Sequence, residues 1–168
     1  MKNILSISLL ALVLALASGC ANIQISVDMG SAELSADARD CRVVMHRYFN
    51  AFNVDDFETM GDSWHVPGWA SMGSRSLGFA TQKEVEQLYR NLLGPLREQG
   101  YDHSELLDED IEILNESAAL YRITFTRWLK NGQFMAPRVR SGVYTLLKLD
   151  GQWGINGLFV DADPEKRN

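Results

Sequence analysis

The second half of the chain reads as short strands that turn back on one another, and this pattern limits the fold more than any other feature. Residues 131–132 (Asn-Gly) and 150–151 (Asp-Gly) are typical two-residue hairpin turns, and residues 115–117 (Asn-Glu-Ser) form a third turn signal. Four segments between and beside these turns are predicted to be strands: 106–114, 120–129, 139–149 and 153–160. We therefore predict an antiparallel meander.

Helical periodicity is found in the part of the chain that precedes these strands. Apolar residues recur at three- and four-residue steps through residues 41–52, which predicts a helix with one apolar stripe. Residues 55–58 have the spacing of a capping box. They predict a short second helix that carries Trp64 and ends at Pro67.

A third helix is predicted from the capping box at residues 81–84 to Gly100. Residues 69–79, which are rich in Gly and Ser, are predicted to form a short strand and a loop. Helices that precede an antiparallel sheet define an α+β domain, which we place at residues 36–161 with a polar tail at 162–168. Three aromatic residues of this domain are expected to be more than half buried: Tyr48, Trp64 and Trp153.

Residues 1–19 have the features of a secretory signal peptide. Lys2 precedes an almost wholly apolar stretch that is shorter than the roughly 20 residues of a membrane span. The small residues before Cys20 resemble the bacterial lipobox, in which the Cys becomes the lipidated N-terminus. This implies an outer-membrane lipoprotein facing the periplasm, with residues 20–35 as a tether. Residues 15–17 (Ala-Leu-Ala) also fit an ordinary cleavage site, which would give a soluble periplasmic protein.

Charge and motif content exclude several classes of function. The chain has 22 acidic and 16 basic residues, a net charge of −6 and no basic run, so we expect no nucleic-acid partner. It has no Gly-rich phosphate loop, no HExxH and no GxSxG motif. Cys41 falls among apolar helical positions, so a buried inert thiol is expected. The three histidines lack metal-ligand spacing, so no metal or other cofactor is expected: His46, His65 and His103.

Two sequence runs carry a resemblance to a known superfamily: Arg47-Tyr48-x-x-Ala51-x-Asn53-x-x-Asp56 and Lys148-Leu149-Asp150-Gly151-Gln152-Trp153-Gly154-Ile155. With the order of helices and strands, they make roughly residues 37–160 similar to the nuclear-transport-factor-2-like (NTF2-like) superfamily. That superfamily includes the SnoaL-like polyketide cyclases and the ketosteroid isomerases. The resemblance implies a cystatin-like α+β roll, in which a strongly curved antiparallel sheet forms a cone around the helices and leaves a pocket at its wide end.

The resemblance also allows the isomerase chemistry to be tested against this sequence. That chemistry uses a Tyr and a protonated Asp as an oxyanion hole, with a second Asp as the base. Tyr48 matches the helix Tyr, whereas the base is expected near Met72 and the other acid near Thr145. Neither residues 63–80 nor residues 139–149 contain a carboxylate. Two of the three groups are missing, so proton transfer of the isomerase type is not expected.

Five residues are candidates for a ligand pocket: Tyr48, Trp64, His65, Trp69 and Arg127. Tyr48 lies on the apolar helix stripe and could equally be a core tyrosine. The two tryptophans and His65 surround Pro67, where they either pack the end of the cone or form a hydrophobic pocket floor. Arg127 has the same parity as Phe125, so a regular strand points it inward, whereas a bulge would reverse it. An inward Arg must be paired or reach a cavity.

Three hypotheses for function follow. The leading one is a non-catalytic envelope lipoprotein whose NTF2-like domain binds a small apolar ligand or a protein partner. The second is a SnoaL-like isomerase, cyclase or dehydratase with a non-standard acid/base set of His65 and Tyr48. The third is a structural envelope protein that forms a homodimer through its sheet. The enzyme requires a titratable group inside the cavity, the binding protein an open apolar cavity, and the structural protein a filled one.

Lipidation at Cys20 can be tested directly. We expect Cys20→Ala to convert the protein from membrane-bound to soluble or to unprocessed precursor, because the thiol is the acylation site that the lipobox resemblance implies. Intact-mass spectrometry of the wild-type membrane fraction should show acyl chains on an N-terminal Cys. An unmodified mature chain that begins at Ser18 would contradict the prediction.

Overall fold

The computed structural model describes residues 35–161, which form an open six-stranded sheet with three helices. The helices are α1 (Ala36–Asn53), α2 (Phe57–Asp62) and α3 (Gln82–Glu98). The strands are β1 (Trp64–Met72), β2 (Arg75–Phe79), β3 (Tyr101–Asn115), β4 (Ala118–Leu129), β5 (Arg140–Leu149) and β6 (Gln152–Asp161). In the order β2-β1-β6-β5-β4-β3, neighbours are antiparallel except β1 and β6, which are parallel. The predicted α+β class is confirmed.

Helix α1 packs its apolar stripe against the inner face of the sheet. Ser35 begins it as the N-cap, accepting a hydrogen bond from the Ala38 amide at 3.1 Å. In the first turn, Asp37 accepts hydrogen bonds from Lys148 Nζ at 2.7 Å and Trp153 Nε1 at 3.0 Å. These contacts fix the start of α1 to the β5–β6 hairpin. The buried stripe of the helix includes Cys41, Met45, Tyr48 and Phe52.

The turn between β5 and β6 has the predicted two-residue form. Asp150 and Gly151 both have positive φ angles, 50° and 79°, as a type I′ turn requires. The turn between β3 and β4 is also confirmed, and the Asn115 side chain accepts a hydrogen bond from the Ser117 amide at 2.9 Å. These two turns set the register of the meander on which α1 lies.

The predicted two-residue hairpin at Asn131-Gly132 is wrong as a connection between strands. The chain does turn at Gly132, whose φ is 78°, and Trp128 pairs briefly with Phe134. However, β5 begins only at Arg140, which pairs with Phe125. Residues 130–139 therefore form a long loop, because the last residues of β4 extend past β5 and pair with β3 on one side and with the start of this loop on the other.

The prediction that Trp64 lies on the second helix is wrong. Helix α2 ends at Asp62, and Ser63 accepts a hydrogen bond through its carbonyl from the Ile155 amide at 2.9 Å. Trp64 is then the first residue of β1, because the chain joins the sheet beside β6. Pro67 does not end a helix either. It lies in an irregular part of β1 between Trp64 and Trp69, where the ladder to β6 is interrupted and a missing amide donor costs little.

Two further segments differ from the sequence prediction. Residues 69–79 form the end of β1 and all of β2, which pair as a hairpin rather than as one strand and a loop. Strand β3 starts at Tyr101, earlier than the predicted residue 106. Irregularities next to Tyr101 and next to Leu106 break the alternation of apolar and polar residues, which is why the sequence pattern hides the first part of this strand.

The core lies between the helices and the inner face of the sheet. The expected burial of three aromatic residues is confirmed, with exposed fractions of 3% for Tyr48, 1% for Trp64 and 7% for Trp153. Within residues 35–161, none of the helices has the length and apolar character needed to cross a membrane.

The close packing around Gly157, on the outer face of the sheet, can be tested by substitution. A Cβ atom at Gly157 would overlap the Trp69 ring and lie 2.5 Å from Thr145 Oγ1. We expect Gly157→Ala to lower the free energy of unfolding by about 1–3 kcal/mol, the usual cost of overpacking, as measured by urea unfolding. The matched control is Gly78→Ala on β2, where the nearest atom to an added Cβ is a backbone oxygen at 4.0 Å. Equal stability of the two variants would contradict this packing.

Candidate functional site

A narrow cavity opens between α1, α3 and the inner face of the sheet. Its volume is about 40 Å³, so the cavity is small. Most of its wall is apolar and includes Phe49, Phe52, Leu92, Phe125, Leu158 and Val160.

Three tyrosine hydroxyls lie together at the base of this cavity. Tyr48 donates a hydrogen bond to the Tyr89 hydroxyl at 2.9 Å, and Tyr144 donates to Tyr48 at 3.5 Å. Tyr48 and Tyr144 line the cavity, and all three side chains are buried. Burial raises the pKa of each of these three hydroxyls above its usual value. The base of the cavity is therefore uncharged at physiological pH.

Arg127 contributes the positive charge of the cavity wall. Its parity in β4 places it on the same side as Phe125, and both residues line the cavity. The guanidinium carbon lies 5.7–5.8 Å from the ring centres of Phe52, Tyr101 and Phe125. The Nε atom is buried and has no hydrogen-bond acceptor within the described part of the chain. Burial lowers the pKa of the Arg127 guanidinium, which nevertheless stays charged at physiological pH.

Arg97 shows by contrast how this fold satisfies a structural arginine. Its Nε and Nη2 atoms donate to the two carboxylate oxygens of Asp55 at 3.0 and 2.8 Å. Nη2 also donates to the Asn53 carbonyl at 2.8 Å, and Nη1 donates to the Tyr101 carbonyl at 3.2 Å. Arg97 thus joins the end of α1 to α3 and β3. Arg127 has no comparable set of acceptors.

A fixed polar group lies opposite Arg127 on the neighbouring strand. Ser104 pairs with Arg127 in the β3–β4 register and also lines the cavity. Its amide donates to Asn53 Oδ1 at 2.8 Å, while Asn53 Nδ2 donates to the Ser104 carbonyl at 2.9 Å. The Ser104 hydroxyl lies 2.8 Å from the Tyr101 hydroxyl. These contacts hold the cavity wall beside Arg127 in one geometry.

The positions at which the resemblance placed acid and base groups can now be compared with the cavity. Met72, the expected position of the base, does line the cavity. On β5, Ser141, Gly142 and Tyr144 line the cavity, whereas Thr145 lies on the outer face near Trp69. Among the side chains described, those of residues 35–160, the cavity wall includes no Asp, Glu, His, Lys or Cys.

The structure brings together two of the five candidate pocket residues, Tyr48 and Arg127. Trp64 is not one of the residues that line this cavity. It is fully buried in the core, with ring centres 5.8 Å from Phe79 and 6.4 Å from Tyr89. Its short distance from Pro67 in the sequence suggested a shared pocket floor, but the side chain fills the space between the sheet and α3 instead.

His65 and Trp69 lie on the opposite, outer face of the sheet. The ring of Trp69 packs against Phe159, with centres 4.5 Å apart. The His65 ring lies over Gly154, and its Nε2 atom is 3.0 Å from the Gln152 carbonyl oxygen. The irregular ladder between Trp64 and Trp69 separates the inward tryptophan from this outer pair. The aromatic cluster inferred from sequence is therefore divided between two faces.

The remaining candidates for chemistry are structural or lie elsewhere. Burial raises the pKa of the Cys41 thiol to about 12, in agreement with an inert core cysteine. His46 lies 2.8 Å from Glu109, and His103 stacks on Trp128. The described side chains, those of residues 35–160, include no group of three or more His, Cys, Asp and Glu that could hold a metal ion.

Sequence reasoning missed several residues that form the cavity. Tyr144 and Tyr89 complete the hydroxyl cluster, and Phe49 contributes to the wall. The parity of β5 would have indicated Tyr144, because it alternates with the glycine and leucine that also face inward. The helical stripe of α1 ran through Tyr48 and passed over its neighbour Phe49.

Solved structures show to which fold the chain is similar. An NTF2-like protein with a cystatin-like fold from Novosphingobium aromaticivorans matches with a TM-score of 0.64 and 16% identity, over 78% of this chain and 84% of the other. A domain of unknown function with a cystatin-like fold from Nostoc punctiforme matches with a TM-score of 0.66 and 18% identity, over 80% and 82%. A ketosteroid isomerase-like protein from Erwinia carotovora atroseptica matches with a TM-score of 0.57 and 15% identity, over 76% and 96%.

Sequence comparison identifies the family of the chain within this fold. No curated protein sequence matches it significantly. Residues 39–162, which are most of the chain, match the sequence model of the family described as "NTF2-like protein (DUF6841)". The curved sheet, the helices packed on its inner face and the cavity between them agree with this match. The chain therefore belongs to this NTF2-like family.

Proposed function

We propose that the protein is a non-catalytic lipoprotein domain of the bacterial envelope that binds a small molecule with a short apolar part and an anionic end. The observation that carries the proposal is the charge of Arg127 in an aromatic-lined cavity whose wall has no carboxylate. In this arrangement Arg127 holds the anionic end of the ligand. Tyr48, Phe52 and Phe125 pack against the apolar part.

The charge of Arg127 supports an anionic ligand. A buried charge is costly unless it is paired and hydrogen-bonded. The three rings around the guanidinium supply cation–π attraction, which is worth about 0.5–2 kcal/mol but leaves the buried Nε–H without an acceptor. A carboxylate or phosphate oxygen would accept a hydrogen bond from this group and neutralise the charge.

The dimensions of the cavity support a short apolar part. A cavity of about 40 Å³ favours an apolar part of only a few carbon atoms. The wall beside Arg127 is fixed by the contacts between Asn53 and Ser104, so widening it would break hydrogen bonds. A small ligand fits this site better than a long lipid chain.

The cavity is poorly suited to proton-transfer catalysis. A general base works best when its pKa lies near the working pH. Burial raises the pKa of Tyr48 and Tyr144, and Arg127 is charged at that pH. The alternative pair of His65 and Tyr48 is divided between the outer and inner faces of the sheet, so the two groups cannot act on one substrate. This geometry supports binding over an enzymatic reaction.

The location in the envelope belongs to the same proposal. The signal peptide at residues 1–19, Cys20 and the tether at 20–35 lie outside the described residues except for Ser35, and so does the polar tail at 162–168. The lipobox resemblance at Cys20 is the support for an outer-membrane anchor facing the periplasm. Anchored there, the domain would meet small periplasmic molecules.

Ligand binding can be measured with pentanoate, whose tail suits the cavity. We expect Arg127→Ala to weaken binding by about 1.5–3 kcal/mol, or roughly 10- to 150-fold in Kd, because it removes a charged hydrogen-bond donor. Isothermal titration calorimetry measures the affinity, and thermal unfolding shows whether the variant still folds. Pentanol, which has a similar tail and no charge, should bind weakly to both proteins.

Arg138→Ala is the matched control, because Arg138 is exposed on the loop before β5 and stacks on Phe134 outside the cavity. It removes the same charge and should leave pentanoate binding unchanged. Equal pentanoate affinity in wild type and Arg127→Ala would remove Arg127 from the site. Isomerase, cyclase or dehydratase turnover by the wild-type protein would overturn the non-catalytic proposal.

A further inference from the structure

A second arginine lies beside Arg127 on the inner side of the sheet. Arg140 is the first residue of β5 and pairs directly with Phe125, which lines the cavity. Cross-strand partners share a face of the sheet, and Arg127 is two residues beyond Phe125 on that same face. Arg127 and Arg140 are therefore diagonal neighbours, a relation that places long side chains within reach of one another.

Neither arginine has an anionic partner among the side chains that the structure describes, those of residues 35–160. The Nε atoms of both are buried without a hydrogen-bond acceptor. Arg140 Nη2 donates to the Ala136 carbonyl at 2.6 Å, which orients the group but supplies no negative charge. Other arginines of the domain do form ion pairs with carboxylates: Arg42, Arg90, Arg97 and Arg122.

The two positive charges also disfavour one another. Burial lowers the pKa of both guanidinium groups, and the charge of Arg127 lowers the pKa of Arg140 further. Two like charges that are close together and partly buried repel one another, which destabilises the fold unless something compensates them. An anion that contacts both groups would remove this repulsion and give each buried Nε an acceptor.

We propose that Arg127 and Arg140 form a two-arginine clamp for a phosphate group, and that the ligand is a phosphate monoester of a short apolar alcohol. This inference rests on the proposed binding function and narrows its ligand class. A phosphate has several acceptor oxygens on one centre, so two guanidinium forks can bind it at once. A dicarboxylate is a poorer match, because its second carboxylate would enter the apolar part of the cavity. The apolar group of the ester would occupy the space lined by Phe52 and Leu158.

The test compares pentyl phosphate with pentanoate on the full-length protein by isothermal titration calorimetry. Wild type should bind pentyl phosphate at least about tenfold more tightly, which corresponds to one additional charged hydrogen bond. Arg140→Ala should lose this preference while its affinity for pentanoate stays within about threefold of wild type. Arg138→Ala, which removes the same charge two residues away, should keep the preference.

Two further probes identify the source of the phosphate. Inorganic phosphate alone should bind more weakly than pentyl phosphate, since it lacks the apolar group. Phosphatidylcholine vesicles with and without phosphatidic acid show whether a lipid headgroup reaches the clamp. Tighter binding to the acidic vesicles than to pentyl phosphate, lost in Arg140→Ala, would support the clamp and assign its ligand to the membrane. Binding to pentyl phosphate alone would support the clamp and assign it a free monoester.

The outcomes separate this inference from the proposed function. Pentanoate binding that depends on Arg127, with no preference for phosphate or with a preference that survives Arg140→Ala, overturns the clamp and leaves the binding function standing. Failure of both pentanoate and pentyl phosphate to bind wild type overturns both. Thermal unfolding of Arg140→Ala, and the intermediate variant Arg140→Lys, show whether a lost preference comes from lost folding. If Arg140→Ala fails to fold, retention of the full preference by Arg140→Lys overturns the two-forked clamp, and its reduction supports it.

Discussion

Three tyrosine hydroxyls that contact one another hold the helices and the sheet of this domain together at one point. Tyr48 bonds to Tyr89 and lies 3.5 Å from Tyr144, so α1 meets α3 and β5 in a single polar cluster. A buried hydroxyl is costly without a partner, and here each hydroxyl has one. The rings fill the lower part of the space inside the curved sheet. Only a narrow cavity remains above them, because the three rings occupy the rest of this space.

The position of Arg127 places a positive charge in the wall of that cavity. The strand register that carries Tyr121, Ile123 and Phe125 into the core carries Arg127 to the cavity wall. Arg97 donates hydrogen bonds to Asp55 and to backbone carbonyls, and these contacts stabilise the fold. Arg127 is surrounded by rings and lacks an acceptor for Nε. A charge maintained at such a place without a partner from the described chain supports a role in binding an anion.

The sequence predicts the architecture of this domain better than its site. Turn chemistry at Asp150-Gly151 and the stripe of α1 depend on local sequence, and both are confirmed. Trp64 was misplaced because its spacing fits a helix, whereas pairing with β6 draws it into the sheet. The face on which His65 and Trp69 lie depends on the irregular ladder in β1, and a ladder between strands distant in sequence leaves no local signal. Arg127 could be predicted because β4 keeps its alternation.

An anion bound at Arg127 would be seen most directly in a crystal structure of the full-length protein purified from membranes with no ligand added. We expect density for an anionic group with an oxygen about 3 Å from Arg127 Nε and with its apolar part between Phe52 and Phe125. A cavity that contains only water, with Arg127 turned to solvent or paired with a carboxylate of its own chain, would show that Arg127 does not bind an anion.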